Sequence, residues 1–439
     1  MNPWLGILIV LAALGALMGA MRLGQALFPI SAELSRKGVH IGMGLVCLSF
    51  PWIFQENWPV VILAILAVVG LTAARLLPIL RRNVGSVLGG VERRSLGEFY
   101  FPIAVAIVFV LAGGDTLLYI IPVLTLTIAD SVGALVGVRY GLARYQTDEG
   151  LKSAEGSIAF FTAAFLTCHV PLLLYSQTGR VETLLIGLIA GILVMLLEAI
   201  SWRGQDNLII PIGMFILLKL YLPMSTTALL SRLVVIVALV GFVLFWRKRT
   251  TLSDSAVLAG ALSGYAVWAF GGWPWLVPLL LLFLVYVLLP SFPGDARPTQ
   301  NLHAVTRVMA GAFFWLLLAK LTHRESDFFI PYLLCVAAHT GNIITARLRV
   351  VRSDLSRPRI LMLGWAVPTI LFLAAWFSAW AYHPTSPLGY FTLPVAIAIS
   401  IALFFPLWPT EHTSENRSRV WASETLLAVI ASLIGLVVH

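Results

Sequence analysis

The residues of this 439-residue chain that could do chemistry are a few acids, bases and one histidine, set in or against long apolar runs. In I-A-D-S-V-G-A-L-V-G-V-R-Y-G, 128–141, Asp130 stands in an apolar stretch beside Gly133, Gly137 and Gly141. Glycines four residues apart suit close helix packing. Packing does not account for the acid, because a carboxylate in a bilayer core costs ~2.5–3.5 kcal/mol on insertion scales. A carboxylate beside closely approaching backbone is what a Mg²⁺-nucleotide site needs. Upstream, E-L-S-R-K-G-V-H spaces Glu33, Arg36, Lys37 and His40 so that they share one helical face. The plain reading is a basic pair facing lipid headgroups with Glu33 as a local partner. His40, about a turn inside the apolar run, points instead to a protein interior or a wet cavity.

Three further strings bear polar groups. L-K-S-A-E-G-S brings Lys152, Ser153, Glu155, Gly156 and Ser157 to the start of a helix, where amide N–H groups, a glycine and a lysine form a phosphate cradle; an ordinary cap by Ser157 explains the same string. In E-A-I-S-W-R-G-Q-D-N, Glu198, Asp206 and Asn207 suit a metal or a ribose hydroxyl, and equally a hairpin capped by Asp206. Glu92, Arg93, Arg94 and Glu98 read as a solvated amphipathic loop unless they cover a site. Cys47, Cys168 and Cys335 lie in apolar runs as small packed hydrophobes. Neither a hydrolase triad order nor a zinc-protease string is present, and nucleic-acid recognition has no support beyond the net charge of +9.

The elements that must position these groups follow from composition. With 59% hydrophobic and 11% charged residues, and a mean hydropathy of +0.94, the chain cannot supply the polar skin of a water-soluble globule. Apolar runs of nearly the ~20 residues that cross a bilayer recur along it, without the alternation of a barrel strand. The expected fold class is therefore an all-α polytopic integral membrane protein of about sixteen (14–16) transmembrane helices. The runs are 4–21, 38–54, 58–77, 99–113, 116–138, 156–176, 182–200, 207–222, 228–246, 254–270, 274–290, 303–320, 328–346, 360–381, 389–408 and 421–438. The first is expected to be retained, with the N-terminus outside. Alternating sides then puts most of the 29 Lys and Arg residues on one side, which marks it as cytosolic, and all five polar clusters fall there. The longest loops, 80–99, 139–155 and 347–359, are on that side too. The basic-then-polar stretch 247–253 is expected to divide a first domain, 1–246, from a second, 247–439.

Taken together and in order, E-x-x-R-K-x-x-H at 33–40, R-S-x-G-E-x-Y-F-P at 94–102, D-S-V-x-A-x-V-G-x-R-Y-G at 130–141, K-S-x-E-G-S at 152–157 and E-A…D-N…P through Glu198, Asp206, Asn207 and Pro211 resemble the CTP-dependent polyprenol kinase family. That family includes phytol and dolichol kinases and is related to membrane cytidylyltransferases. The resemblance spans roughly residues 30 to 222. It implies phosphoryl transfer from CTP or another nucleoside triphosphate to an isoprenoid alcohol such as phytol, geranylgeraniol or a polyprenol, with Mg²⁺ or Mn²⁺. By this resemblance Asp130, with Asp206 or Glu155, holds the metal. Arg36, Lys37, Lys152, Gly156, Ser157 and Asn207 bind the nucleotide, His40 or Asp130 takes the hydroxyl proton, and Glu33, Glu98 and Glu198 support them. Some phytol-kinase relatives have a second Asp four residues after the first, where this chain has Ala134.

The second half more faintly resembles the family of phytyl-phosphate kinase, through 251–273 and 356–368. Where that family has an acidic string, this chain reads Ala338-His339-Thr340-Gly341-Asn342, so a catalytically impaired partner domain is expected. Two alternatives stand beside the kinase. A cytidylyltransferase acting on a lipid phosphate would use similar parts, and a transporter would also explain intramembrane Asp130 and His40. The expected setting is a prokaryotic cytoplasmic membrane, with membrane lipids, a lipid alcohol and a nucleotide as partners.

Overall fold

A computed structural model describes residues 1–28, 31–76, 96–147, 150–246, 250, 252–289, 302–352, 354–380, 389–407 and 414–437. Two compact units, Met1–Ala238 and Leu239–His439, make up the chain. The first contains α1 (Pro3–Leu27), α2 (Ala32–Leu48), the short α3 (Phe50–Ile53), α4 (Trp58–Leu76), α5 (Gly97–Ala112), α6 (Thr116–Tyr140), strands β1 (Arg144–Thr147) and β2 (Gly150–Ser153), α7 (Ala154–Tyr175), α8 (Arg180–Ile200) and α9 (Asp206–Tyr221). Helix α10 (Thr226–Trp246) runs across the division. The second unit continues with α11 (Asp254–Gly271), α12 (Trp273–Leu288), α13 (Leu302–Thr322), α14 (Glu325–Val351), α15 (Arg357–Trp380), α16 (Gly389–Leu407) and α17 (Ser414–Ser432).

A chain this apolar satisfies its backbone polar groups within helices. Ten of those among the described residues are long and apolar enough to cross a bilayer; the others are shorter or more polar, so the tally falls below the sixteen runs read from sequence. Side-chain caps fix several starts. Ser31 accepts from Leu34 N–H, Asp115 from Leu117 and Leu118 N–H, and Ser253 from Ala256 N–H. One departure from an all-α chain among the described residues corrects the expectation of a loop at 139–155. There β1 and β2 pair antiparallel, Arg144 opposite Ser153 and Tyr145 opposite Lys152.

Helix α6 is the centre of the first unit and packs against α2, α5, α7 and α9. Its glycines let α7 approach to backbone contact. A Cβ placed on Gly156 would lie 2.9 Å from Gly133 O and 3.0 Å from the Gly137 Cα. On the opposite side Gly44 of α2 leaves room for Thr127, and Tyr119 donates its hydroxyl to the Cys47 carbonyl at 2.8 Å. These contacts fix α2 and α7 along α6, whose middle third carries Asp130.

In the second unit α14 is buried among α12, α13, α15, α16 and α17, with Trp275, Trp315, Trp376 and Tyr332 in the core. Its middle is polar. Glu424 of α17, 1% exposed, receives Arg307 at 2.7 Å and stands 3.6 Å from His339 Nδ1, and Asn342 donates to Ser400. Glu424 thus sets a buried carboxylate against the 338–342 stretch from across the helix interface.

Candidate functional site

Side chains and backbone near the ends of several helices of the first unit are tied to one another and to the hairpin. Asn207, in the first turn of α9, donates its Nδ2 to the Gly97 carbonyl at 2.9 Å, and Leu96 N–H donates to the Arg203 carbonyl at 3.1 Å. Both bonds tie the start of α5 to the turn between α8 and α9. That turn requires left-handed backbone at Arg203 (φ 53°) and Gly204 (φ 82°), which the glycine adopts without strain. Asp206 is the first residue of α9, and its carboxylate accepts from Asn207 N–H at 3.0 Å; the residue preceding the helix is Gln205, which makes no side-chain cap.

The inner part of the site is built on α2 and α6. Lys37 Nζ lies 2.6 Å from Asp130 Oδ2 and also donates to the Asp130 carbonyl at 3.3 Å. Lys37 is 3% exposed and Asp130 9%. On the next turn of α2, His40 Nε2 is 3.5 Å from the same carboxylate oxygen and 3.3 Å from the Leu126 carbonyl, and its ring meets Phe101 edge-on. Of the face read from sequence, Lys37 and His40 turn inward, whereas Arg36 is exposed at its edge. Arg36 is still near enough to act electrostatically on both Asp130 and Glu98. Glu33 is in the first turn of α2, and its side chain falls outside the described residues, as do Glu92, Arg93 and Arg94. Glu98 faces Arg75 at 3.5 Å, whose guanidinium lies over Phe99.

The outer part surrounds the hairpin. Lys152 Nζ donates to the Glu198 carboxylate at 2.8 Å and to the Glu198 carbonyl at 2.7 Å, which pins β2 to the end of α8. Tyr145 and Ser157 share a hydrogen bond of 2.8 Å, and burial, more than that bond, sets the direction of the phenol's shift, upward. The cap of α7 is Ser153, which accepts from Gly156 N–H, while Ser157 donates to the Ser153 carbonyl. Glu155 accepts from Leu142 and Ala143 N–H and so closes the entry to β1. Gly137 meets Ser153 Oγ and Gly156, and the stretch of α6 from there back to Asp130 is ~10 Å of helix rise. The inner ion pair therefore lies about that far below the hairpin.

The structure thus brings Asp130, Lys37 and His40 together, pairs Lys152 with Glu198, and gives Glu155, Gly156, Ser157, Asp206 and Asn207 local partners around them. No group of three or more His, Cys, Asp or Glu side chains assembles as a metal cage among the described residues. Mg²⁺ in phosphoryl-transfer sites is commonly held by one or two carboxylates, with phosphate oxygens and water completing the octahedron. Asp130, a lone buried carboxylate flanked by cations, fits that role.

Comparison with known proteins gives the family. The chain is 32% identical over 215 residues to a phytol kinase of Synechocystis sp., a match covering 48% of this chain and 88% of that protein. No family model matches, and no solved structure matches. With nearly the whole of that kinase represented in a helical, apolar chain, this protein belongs to the polyprenol/phytol kinase family and is a membrane lipid-alcohol kinase.

Proposed function

We propose that this protein transfers the terminal phosphoryl group of CTP, or of another nucleoside triphosphate, to the hydroxyl of an isoprenoid alcohol such as phytol, geranylgeraniol or a polyprenol. The observation that carries this reading is the buried Lys37–Asp130–His40 cluster at one end of an apolar helix bundle, in a chain similar to a phytol kinase. Phosphoryl transfer asks for positioning and for charge stabilisation rather than covalent help. Arg36, Lys37 and Lys152 supply cations for the phosphates, with Lys152 held in place by Glu198. Asp130 would hold Mg²⁺, which would supply positive charge to offset that of the phosphates. With Asp130 so engaged, His40 would accept the alcohol proton at Nδ1, since Nε2, facing the Leu126 carbonyl, is the donor nitrogen; Phe101 meets the ring edge-on. The alcohol enters from the bilayer and the nucleotide from the basic, cytosolic face of a prokaryotic cytoplasmic membrane.

The test is a substrate screen. Purified protein given labelled CTP or ATP, Mg²⁺ and each alcohol should form labelled lipid monophosphate and CDP or ADP. Release of pyrophosphate from CTP and a lipid phosphate would assign cytidylyl transfer instead, and no labelled lipid with any donor would refute the proposal.

A further inference from the structure

The hairpin is too small to hold its own position, since an isolated pair of short strands is marginal in water. Beyond the base held by Glu155, one face of it meets the helices. Tyr145 and Lys152 stand directly opposite each other, so their side chains leave the sheet on the same side, while Leu151 on the other side is exposed. From that face Lys152 reaches Glu198 at the end of α8, and Tyr145 reaches Ser157 in the first turn of α7 at 2.8 Å. Tyr145 is also near enough to feel the charges of both Lys152 and Glu198. The hydroxyl hydrogens follow from the partners. Ser157 has one, and the Ser153 carbonyl at 3.2 Å only accepts, so Ser157 donates there and Tyr145 is the donor in the 2.8 Å bond. Burial pushes the phenol upward, which keeps that hydrogen in place at neutral pH. The phosphate oxygens of a nucleotide accept as well, and Ser157 has no hydrogen left for them.

We propose that Tyr145 is a positioning residue that aims Lys152 at the nucleotide phosphates, and that Ser157 is its anchor rather than a ligand of those phosphates. The Tyr145–Ser157 bond supports the strand pair on α7, beside the Lys152–Glu198 support on α8. A hairpin resting on α8 alone is free to swing about that single point, and Lys152 moves with it. This rests on the kinase reading for the ligand, and it adds which side chains set the place of one of the site's cations.

The experiment is a double-mutant cycle on the full chain in detergent, with Tyr145→Phe, Ser157→Ala and the double variant. It reads amide hydrogen exchange over the hairpin, 144–153, and equilibrium binding of labelled CTP with Mg²⁺. Loss of one neutral hydrogen bond should speed exchange in the hairpin and weaken CTP binding, each by about twofold to tenfold, in either single variant. The double variant should be no worse than the poorer single one, because both substitutions remove the same bond. Exchange in α6 should not change, and faster exchange there as well would overturn the proposal by showing a general loosening of the unit. A CTP loss in Ser157→Ala that exceeds the Tyr145→Phe loss by about tenfold, or that multiplies with it in the double variant, would make Ser157 a phosphate ligand and overturn the proposal. Unchanged CTP binding in Tyr145→Phe would overturn it too. Phosphate transfer to an alcohol is measured in parallel. Lipid phosphate without coupling in the cycle defeats the positioning pair alone, whereas coupling without lipid phosphate supports the pair and defeats the kinase reading.

Discussion

Replacing Gly156 by alanine tests the packing that holds the site together. The added methyl would sit 2.9 Å from Gly133 O, 3.0 Å from the Gly137 Cα and 3.1 Å from Ser153 Oγ. The first two are backbone atoms of α6 and cannot rotate aside. Ordinary carbon contacts begin near ~3.5 Å, so α7 must retreat from α6 by about half an ångström along this seam. Overpacking of this kind costs about 1–3 kcal/mol. For a unit of this size each kcal/mol lowers the unfolding midpoint by roughly 2–4 °C, so a loss of about 2–12 °C is expected. The shift also carries the hairpin, with Lys152, away from Asp130, and misplacement approaching 1 Å costs up to ~10²-fold in turnover. Thermal unfolding in detergent and initial rates of lipid phosphorylation read the two effects. Gly15→Ala in α1 is the control, because a methyl there meets nothing within 4 Å. Gly156→Ala with the unsubstituted midpoint and rate would refute the proposed close packing of α6 on α7.

Two other substitutions separate the layers of the structure. Lys152→Met removes both bonds to Glu198 and should raise the KM for nucleotide by about tenfold or more, with a smaller loss on Glu198→Gln, which keeps the carbonyl bond; equal KM values in steady-state assays would count against Lys152 as a phosphate group. Glu424→Ala strands Arg307 and His339 in the second unit and should cost that unit about 3–5 kcal/mol, read as a loss of midpoint in thermal unfolding, whereas an unchanged midpoint would show the pair is dispensable.

Much of the fold was legible because helices in an apolar chain are written locally. The runs read at 116–138, 182–200 and 207–222 differ from α6, α8 and α9 by only a few residues at their ends. The hairpin was not legible: strands of four residues, R-Y-Q-T and G-L-K-S, are too short to show a period, and their pairing depends on Glu155 and Ser153 at the base. Asp130 was visible as a charge out of place, but its partner was not. Lys37 is 93 residues away in sequence, and the packing of α2 on α6, closest at Gly44 and tied at Cys47 and His40, joins them. The same holds for Glu424 and His339. Gly156, read as part of a phosphate cradle, is also a helix contact with α6, because a missing Cβ serves either use and sequence alone does not tell them apart. Asp206 or Glu155 is the second metal ligand that the resemblance implies, and each accepts from neighbouring backbone N–H groups, which nearby turns set.

The most direct measurement of the central claim is transfer of labelled phosphate from CTP to phytol by the unsubstituted protein and by Asp130→Asn. The account predicts lipid monophosphate from the first and a rate at least ~10²-fold lower from the second, in protein that remains folded. An Asp130→Asn protein that phosphorylates phytol at the unsubstituted rate would contradict it.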